Sequence, residues 1–206
     1  DTRLVCLSAL TWNYGTYLPV SELVSEAHDA GASVLVDAVQ IPGQAPLDVT
    51  DWGADAVAMA SHKWMLGIWG AGFLYVDSDA IDQFHPGQIG YRSVEDPAAD
   101  EYELRPGADR FEIGTTSPAP YAALSASIDL LDDVGLGTIE AHIADLAARF
   151  VDGVPSDRLY SPEPPESGLV TVRVDDPEST VDRLREEYGV VVRSIPDPAG
   201  AVRASL

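Results

Sequence analysis

The feature that most limits the possible folds is a series of short apolar runs, each of strand length and each closed by polar or turn-forming residues. Leu4 to Ser8, Ser33 to Asp37, Ala56 to Ala60 and Gly72 to Val76 all fit this description. Between the first two lies a segment with helical spacing. It runs from about Ser21, a candidate N-cap, through Leu23, Val24 and Ala27 to a terminating Gly31. Strands alternating with helices favour an α/β sheet with helices on its faces, and the three later runs are expected as neighbouring core strands.

Further along, Ser117-Pro118 has the N-cap and N1 signature of a helix reaching about Val134. Gly135 and Gly137 then interrupt before a second helix through Phe150. Residues 153 to 168 hold four prolines and little apolar content, which predicts a connection between compact units. The expected division is a large domain over residues 1–152 and a small C-terminal domain over 153–206. The small one is an α+β unit: a strand at Leu169 to Asp175, a helix opened by Asp176-Pro177, a strand at Val190 to Arg193 and a last strand at Val202 to Leu206.

The charge balance narrows the partners. Thirty-four acidic residues against twelve basic ones give a net charge of −22, which repels nucleic acid and anionic membranes. Neither is expected as a partner, and no metal is expected. No apolar run reaches membrane-spanning length, and Asp1-Thr2-Arg3 does not resemble a signal peptide, so the expectation is a soluble cytoplasmic protein. The basic residues are eleven arginines and one lysine, a bias similar to that of proteins from salt-loving organisms. Cys6, the single cysteine, lies in an apolar run and is expected to be buried.

The lone lysine is Lys63, within Ser61-His62-Lys63-Trp64, just after a predicted strand and just before Gly67, Gly70 and Gly72. It reads either as a loop lysine or as an amine that forms a Schiff base, and a chain that has discarded every other lysine favours the second. An amine attacks a carbonyl only when neutral, which burial or nearby positive charge promotes. Asp37 ends the run Val34-Leu35-Val36-Asp37, with Gln40 three residues later. A carboxylate there either caps the following turn or faces a ligand at the C-terminal edge of the sheet.

Taken in order, VDAVQ, SHKW and GAGFLYV resemble the cofactor-binding core of class V aminotransferases and cysteine desulfurases. The resemblance implies the fold-type I large domain of pyridoxal phosphate (PLP) enzymes, a mixed and mostly parallel sheet with helices on both faces, followed by the small domain. It also implies a fold truncated at both ends relative to the family. By it, Lys63 carries PLP, Asp37 pairs with the pyridine nitrogen, Gln40 bonds the ring hydroxyl, and Ser61 and His62 lie near the phosphate. Arg110-Phe111-Glu112 followed by Gly114-Thr115 is similar to a stretch whose threonine reaches the phosphate of a neighbouring subunit, which implies a homodimer. Arg203 in Arg203-Ala204-Ser205-Leu206 is similar to the arginine that clamps the substrate α-carboxylate, and Arg193 stands as either a second cation or a structural ion-pair member.

Two departures stand out. The loop that carries the nucleophilic cysteine of desulfurases reads Ser194-Ile195-Pro196-Asp197-Pro198-Ala199-Gly200-Ala201 here. In TWNYG, Trp12 takes the place of the family's asparagine, with Asn13 displaced by one. The expected activity is therefore chemistry at the α-carbon of an amino acid, transamination first, with desulfurase, selenocysteine lyase-like or epimerase activity as alternatives. The rival from another class is a catalytically inactive interaction protein with the same fold.

Overall fold

The structure is a computed structural model and describes residues 1–206. Its residues fall into two compact units. The first comprises residues 1–8, 19–39 and 47–130; the second comprises 9–18, 40–46 and 131–206.

In the first unit, all four apolar runs are strands with the bounds expected from sequence: β1 (Leu4–Ser8), β2 (Ser33–Asp37), β3 (Ala56–Ala60) and β4 (Gly72–Val76). They form one sheet in the order β1-β2-β3-β4. β1, β2 and β3 are parallel, with Ser8, Asp37 and Ala58 in register, while β4 runs antiparallel to β3 from Ala60↔Gly72 to Ala56↔Val76. Val34, Val36 and Val57 are fully buried. Helix α1 (Val20–Asp29) buries Val20, Val24 and Ala27, the spacing of one helical face, and packs on β2. It starts one residue before the expected cap. Pro19 precedes it, and Ser21 lies inside the helix with its hydroxyl on the Asp51 carbonyl at 3.4 Å.

Cys6 corrects the sequence reading: it is exposed. Strand side chains alternate between faces, and Leu4 and Cys6 share the less covered face of β1. An unbroken apolar run does not reveal which alternate positions point to the core.

Helix α2 (Ala119–Val134) carries the chain from the first unit into the second, and Gly135, at φ +86°, separates it from α3 (Leu136–Asp152). The second unit contains an antiparallel sheet of β5 (Leu169–Arg173), β6 (Arg193–Ile195) and β7 (Ala201–Ser205), in the order β5-β7-β6. Helix α4 (Pro177–Tyr188) starts as expected: the Asp176 carboxylate accepts the Ser179 N–H at 3.1 Å, Pro177 follows, and Gly189 ends the helix at φ +66°. The expected boundary at 152/153 falls inside this unit. Ala147 and Val151 of α3 are buried against Val170, with Phe150, Leu159, Val172 and Leu206 around them, so α3 belongs to the same core as β5. The segment 9–18 joins the same unit. Gly15, at φ +69°, comes so close to Leu169 that a Cβ would sit 2.0 Å from its carbonyl oxygen.

Candidate functional site

The parallel strands of the first unit end on one edge of the sheet, where Asp37 closes β2 and Ser61, His62 and Lys63 follow the end of β3. Asp37 closes β2, exposed, with Oδ1 accepting the Val39 N–H at 2.9 Å. That bond caps the turn, one of the two readings of Asp37, and leaves Oδ2 for a second partner. A cavity of about 340 Å³ is lined by Cys6, Leu7, Ser8, Leu35, Asp37 and Ala58.

β3 delivers the lysine loop to the same edge. Ser61, just past its end, is fully buried. Its N–H bonds the Ala71 carbonyl at 3.2 Å and its carbonyl accepts the Gly67 N–H at 2.9 Å. Its hydroxyl lies 3.0 Å from the Ile68 carbonyl and 2.9 Å from that of Ala71. A hydroxyl has one proton, and here it is committed to the loop. Gly67 passes so close that a Cβ would stand 2.9 Å from both Cβ and O of Ser61.

Between these pins, the Leu66 N–H bonds the Lys63 carbonyl at 3.0 Å, and Leu66 adopts φ +58°, the one non-glycine residue with positive φ. Backbone held in that region costs on the order of 1–3 kcal/mol and persists only where neighbours enforce it. Ser127 of α2 adds a bond from its hydroxyl to the Leu66 carbonyl at 3.2 Å. The His62 ring stacks on Trp69 of the same loop, centroids 3.9 Å apart and planes inclined by 17°. Lys63 is thus carried by a turn closed on itself.

Thr115 is exposed, and its hydroxyl is hydrogen-bonded to the Tyr91 hydroxyl. The stretch leading to it is anchored by Arg110. This buried guanidinium donates to the carbonyls of Arg105 (2.8 Å), Ile81 (3.2 Å) and Pro106 (3.4 Å), and to the Asp82 carboxylate at 3.2 Å. The sequence motif contained Arg110 but gave no sign of this anchoring.

In the second unit, Gln40 is buried and its carbonyl accepts a bond from the Gln44 side-chain amide. Arg203 lies on the central strand β7, paired with Thr171 on one side and Arg193 on the other. Its Nη1 donates to the Trp12 carbonyl at 2.8 Å, and the guanidinium stands 5.8 Å from the centre of the Trp12 ring. Trp12 is therefore a positioning residue for Arg203, which its mismatch with the family's asparagine concealed. Asn13 turns to the loop after β6, its amide donating to the Asp197 carbonyl at 3.2 Å. The Nε of Arg203 is buried without a hydrogen-bond partner. A stranded buried donor costs on the order of 1–3 kcal/mol, more when charged, so this nitrogen is open to an acceptor. Burial first, and the charge of Arg193 second, lower the Arg203 pKa from the ordinary arginine value.

Within the first unit, a carboxylate closes one strand and the chain's only lysine follows on a rigid turn after the neighbouring strand. The family model for class V aminotransferases matches residues 1–205, and the chain belongs to that family, whose members are PLP-dependent enzymes. Among curated relatives, a probable cysteine desulfurase of Methanothermobacter thermautotrophicus is 33% identical over the whole chain and 56% of its own length. Isopenicillin N epimerase of Streptomyces clavuligerus is 30% identical over 98% of the chain and 54% of its own length. The chain thus spans about half the length of these relatives. A solved C-DES mutant with glycine covalently linked to its PLP cofactor superposes with a TM-score of 0.88 at 31% identity, covering 99% of this chain and 56% of that one. No helix is long and apolar enough to cross a membrane.

Proposed function

We propose that this protein performs PLP-dependent chemistry at the α-carbon of an amino acid, and that the reaction is transamination. The observation that carries the reading is the arrangement at one sheet edge, where Asp37 ends β2 and the Lys63 turn follows β3, its partner in the sheet. The residues fit the cofactor chemically. Asp37 keeps an oxygen for a protonated pyridine nitrogen, and Lys63 is the one side-chain primary amine. When bound, PLP withdraws electrons from the substrate's α-carbon.

The chain's own residues do the rest. Asp37 would hold the ring nitrogen's proton by charge, Gln40 would bond the ring hydroxyl, and His62 would lie near the phosphate. Ser61 serves the same group through the loop it pins. In a homodimer, Thr115 would reach the phosphate held by the second copy. Arg203 takes the substrate carboxylate on the edge that includes its unmet Nε, a planar match that lysine does not offer. The Lys63 amine, when neutral, would take the α-proton and return it away from the α-carbon, so that water releases the substrate as a keto acid and the amino group stays with the cofactor until a second keto acid accepts it.

Desulfuration requires a thiol on the loop between β6 and β7. Residues 194–201 contain none, and the one cysteine, Cys6, lies on β1. A second reading, epimerisation, has the named epimerase relative in its favour and differs only in where the proton returns. The test is to incubate the purified protein with PLP, reduce with borohydride and map the adduct by mass spectrometry. Lys63 is expected to be labelled, and Lys63→Ala to lose the label together with keto-acid formation from amino acids. Labelling that persists away from residue 63, with activity intact, overturns the assignment. Inverted amino acid without keto acid selects the epimerase.

A further inference from the structure

We propose that Arg193 and Arg203 form one two-guanidinium anion site, and that it selects an amino acid whose side chain bears a second carboxylate. The inference rests on the reading of Arg203 as the α-carboxylate residue and extends it to substrate class.

The two arginines are directly opposite each other across the β6–β7 ladder. Residues so placed share a face with side chains in reach of one another, and like charges there are destabilising. A protein with 34 acidic residues and 12 basic ones has ample means to neutralise such a pair. Neither arginine forms an ion pair with a carboxylate; the ion pairs of this unit are Arg158–Asp175 and Arg173–Asp157. The acidic residues of the neighbouring segments are turned to other partners. Glu178 of α4 accepts from the Ser194 hydroxyl at 2.6 Å, immediately beside Arg193, and the Asp197 carboxylate lies 3.5 Å from the Asn13 amide.

The arginines also differ in a complementary way. Arg203 is held in place, with one nitrogen on the Trp12 carbonyl and its Nε buried and unmatched, while Arg193 is exposed and makes no side-chain hydrogen bond. A fixed, partly buried guanidinium suits the group common to every substrate. An adjacent, adjustable one suits a side-chain anion whose position varies with length. A monocarboxylic substrate leaves the repulsion of the pair half relieved, whereas a dicarboxylic one neutralises both members.

The test uses glutarate and butyrate as probes, bound to the protein at fixed ionic strength and followed by calorimetry. Glutarate is expected to bind about tenfold more tightly than butyrate, the increment of one further charge-assisted contact. Arg193→Gln is expected to bring the ratio close to one, Arg193→Lys to retain most of it, and Arg203→Gln to abolish binding of both probes. A ratio below about threefold in the unmodified protein, or a ratio that Arg193→Gln leaves unchanged, overturns the proposal. Its failure is separable from failure of the PLP reading, because labelling of Lys63 requires neither probe.

Discussion

Replacing Ser61 with alanine separates two roles for that residue: phosphate contact, as the resemblance implies, and loop staple, as the geometry favours. The hydroxyl is fully buried and shared between the carbonyls of Ile68 and Ala71. The size of the loss follows from what each carbonyl keeps. Ala71 retains the Ser61 N–H at 3.2 Å, and Ile68 is an exposed residue whose carbonyl regains water when the loop loosens. Neither acceptor is fully stranded, so the cost is near one net hydrogen bond, about 1 kcal/mol, rather than the roughly 3 kcal/mol of an orphaned buried group. Urea unfolding of the protein without PLP is expected to show this loss with an unchanged m-value. Amide exchange of Gly67, whose N–H bonds the Ser61 carbonyl, is expected to accelerate. If Ser61→Ala leaves both stability and exchange unaltered in the apo protein and yet weakens PLP binding tenfold or more, the hydroxyl contacts the phosphate and the staple argument fails.

Two further perturbations test other parts of the framework. Arg110→Ala removes the donors to three carbonyls from a buried position, while the exposed Asp82 carboxylate regains water, and a loss of about 2–3 kcal/mol is expected in denaturant titrations; Arg110→Lys is expected to recover little, since one ammonium cannot span those acceptors. Tyr17 has its pKa raised above the ordinary 10.0, first by burial, then by the charges of Glu140 and Glu166. A raised folded-state pKa means that its contribution is intact below the unfolded value and lost as pH climbs through the folded one. Stability should therefore fall in alkaline solution, and Tyr17→Phe should flatten that fall in pH-dependent melting curves.

Much of the first unit was legible because its signals are local. Strand length, a closing Asp or Gly, and the glycines beyond Lys63 fixed β1 to β4 at their observed bounds. Asp176-Pro177 announced α4 for the same reason, since an N-cap is a bond between residues three apart. What escaped was long-range. The exposure of Cys6 depends on which face of β1 is covered. The inclusion of residues 9–18 in the second unit depends on Gly15 meeting Leu169, and α3 joins that unit through contacts with β5. Trp12 as a support for Arg203, and Arg193 as the cross-strand neighbour of Arg203, require the register of strands far apart in sequence. Site chemistry was readable where the residue type is rare, as with a single lysine, and unreadable where it depends on what a common residue touches.

The pairing of Ala60 with Gly72 has a further consequence for how this protein can change over evolutionary time. Because β3 and β4 are in register from that pair onward, the turn bearing Lys63 is a span of set length between two fixed posts, cross-tied by Ser61 and braced by Ser127. An inserted or deleted residue there would have to slip a ladder or break a tie, and either would move the amine. The segment 194–201 faces a looser constraint, being tied through the Asn13 amide and the short pairing of β6 with β7. New substrate preferences in this lineage are therefore expected to accumulate in that loop while the lysine turn keeps its length.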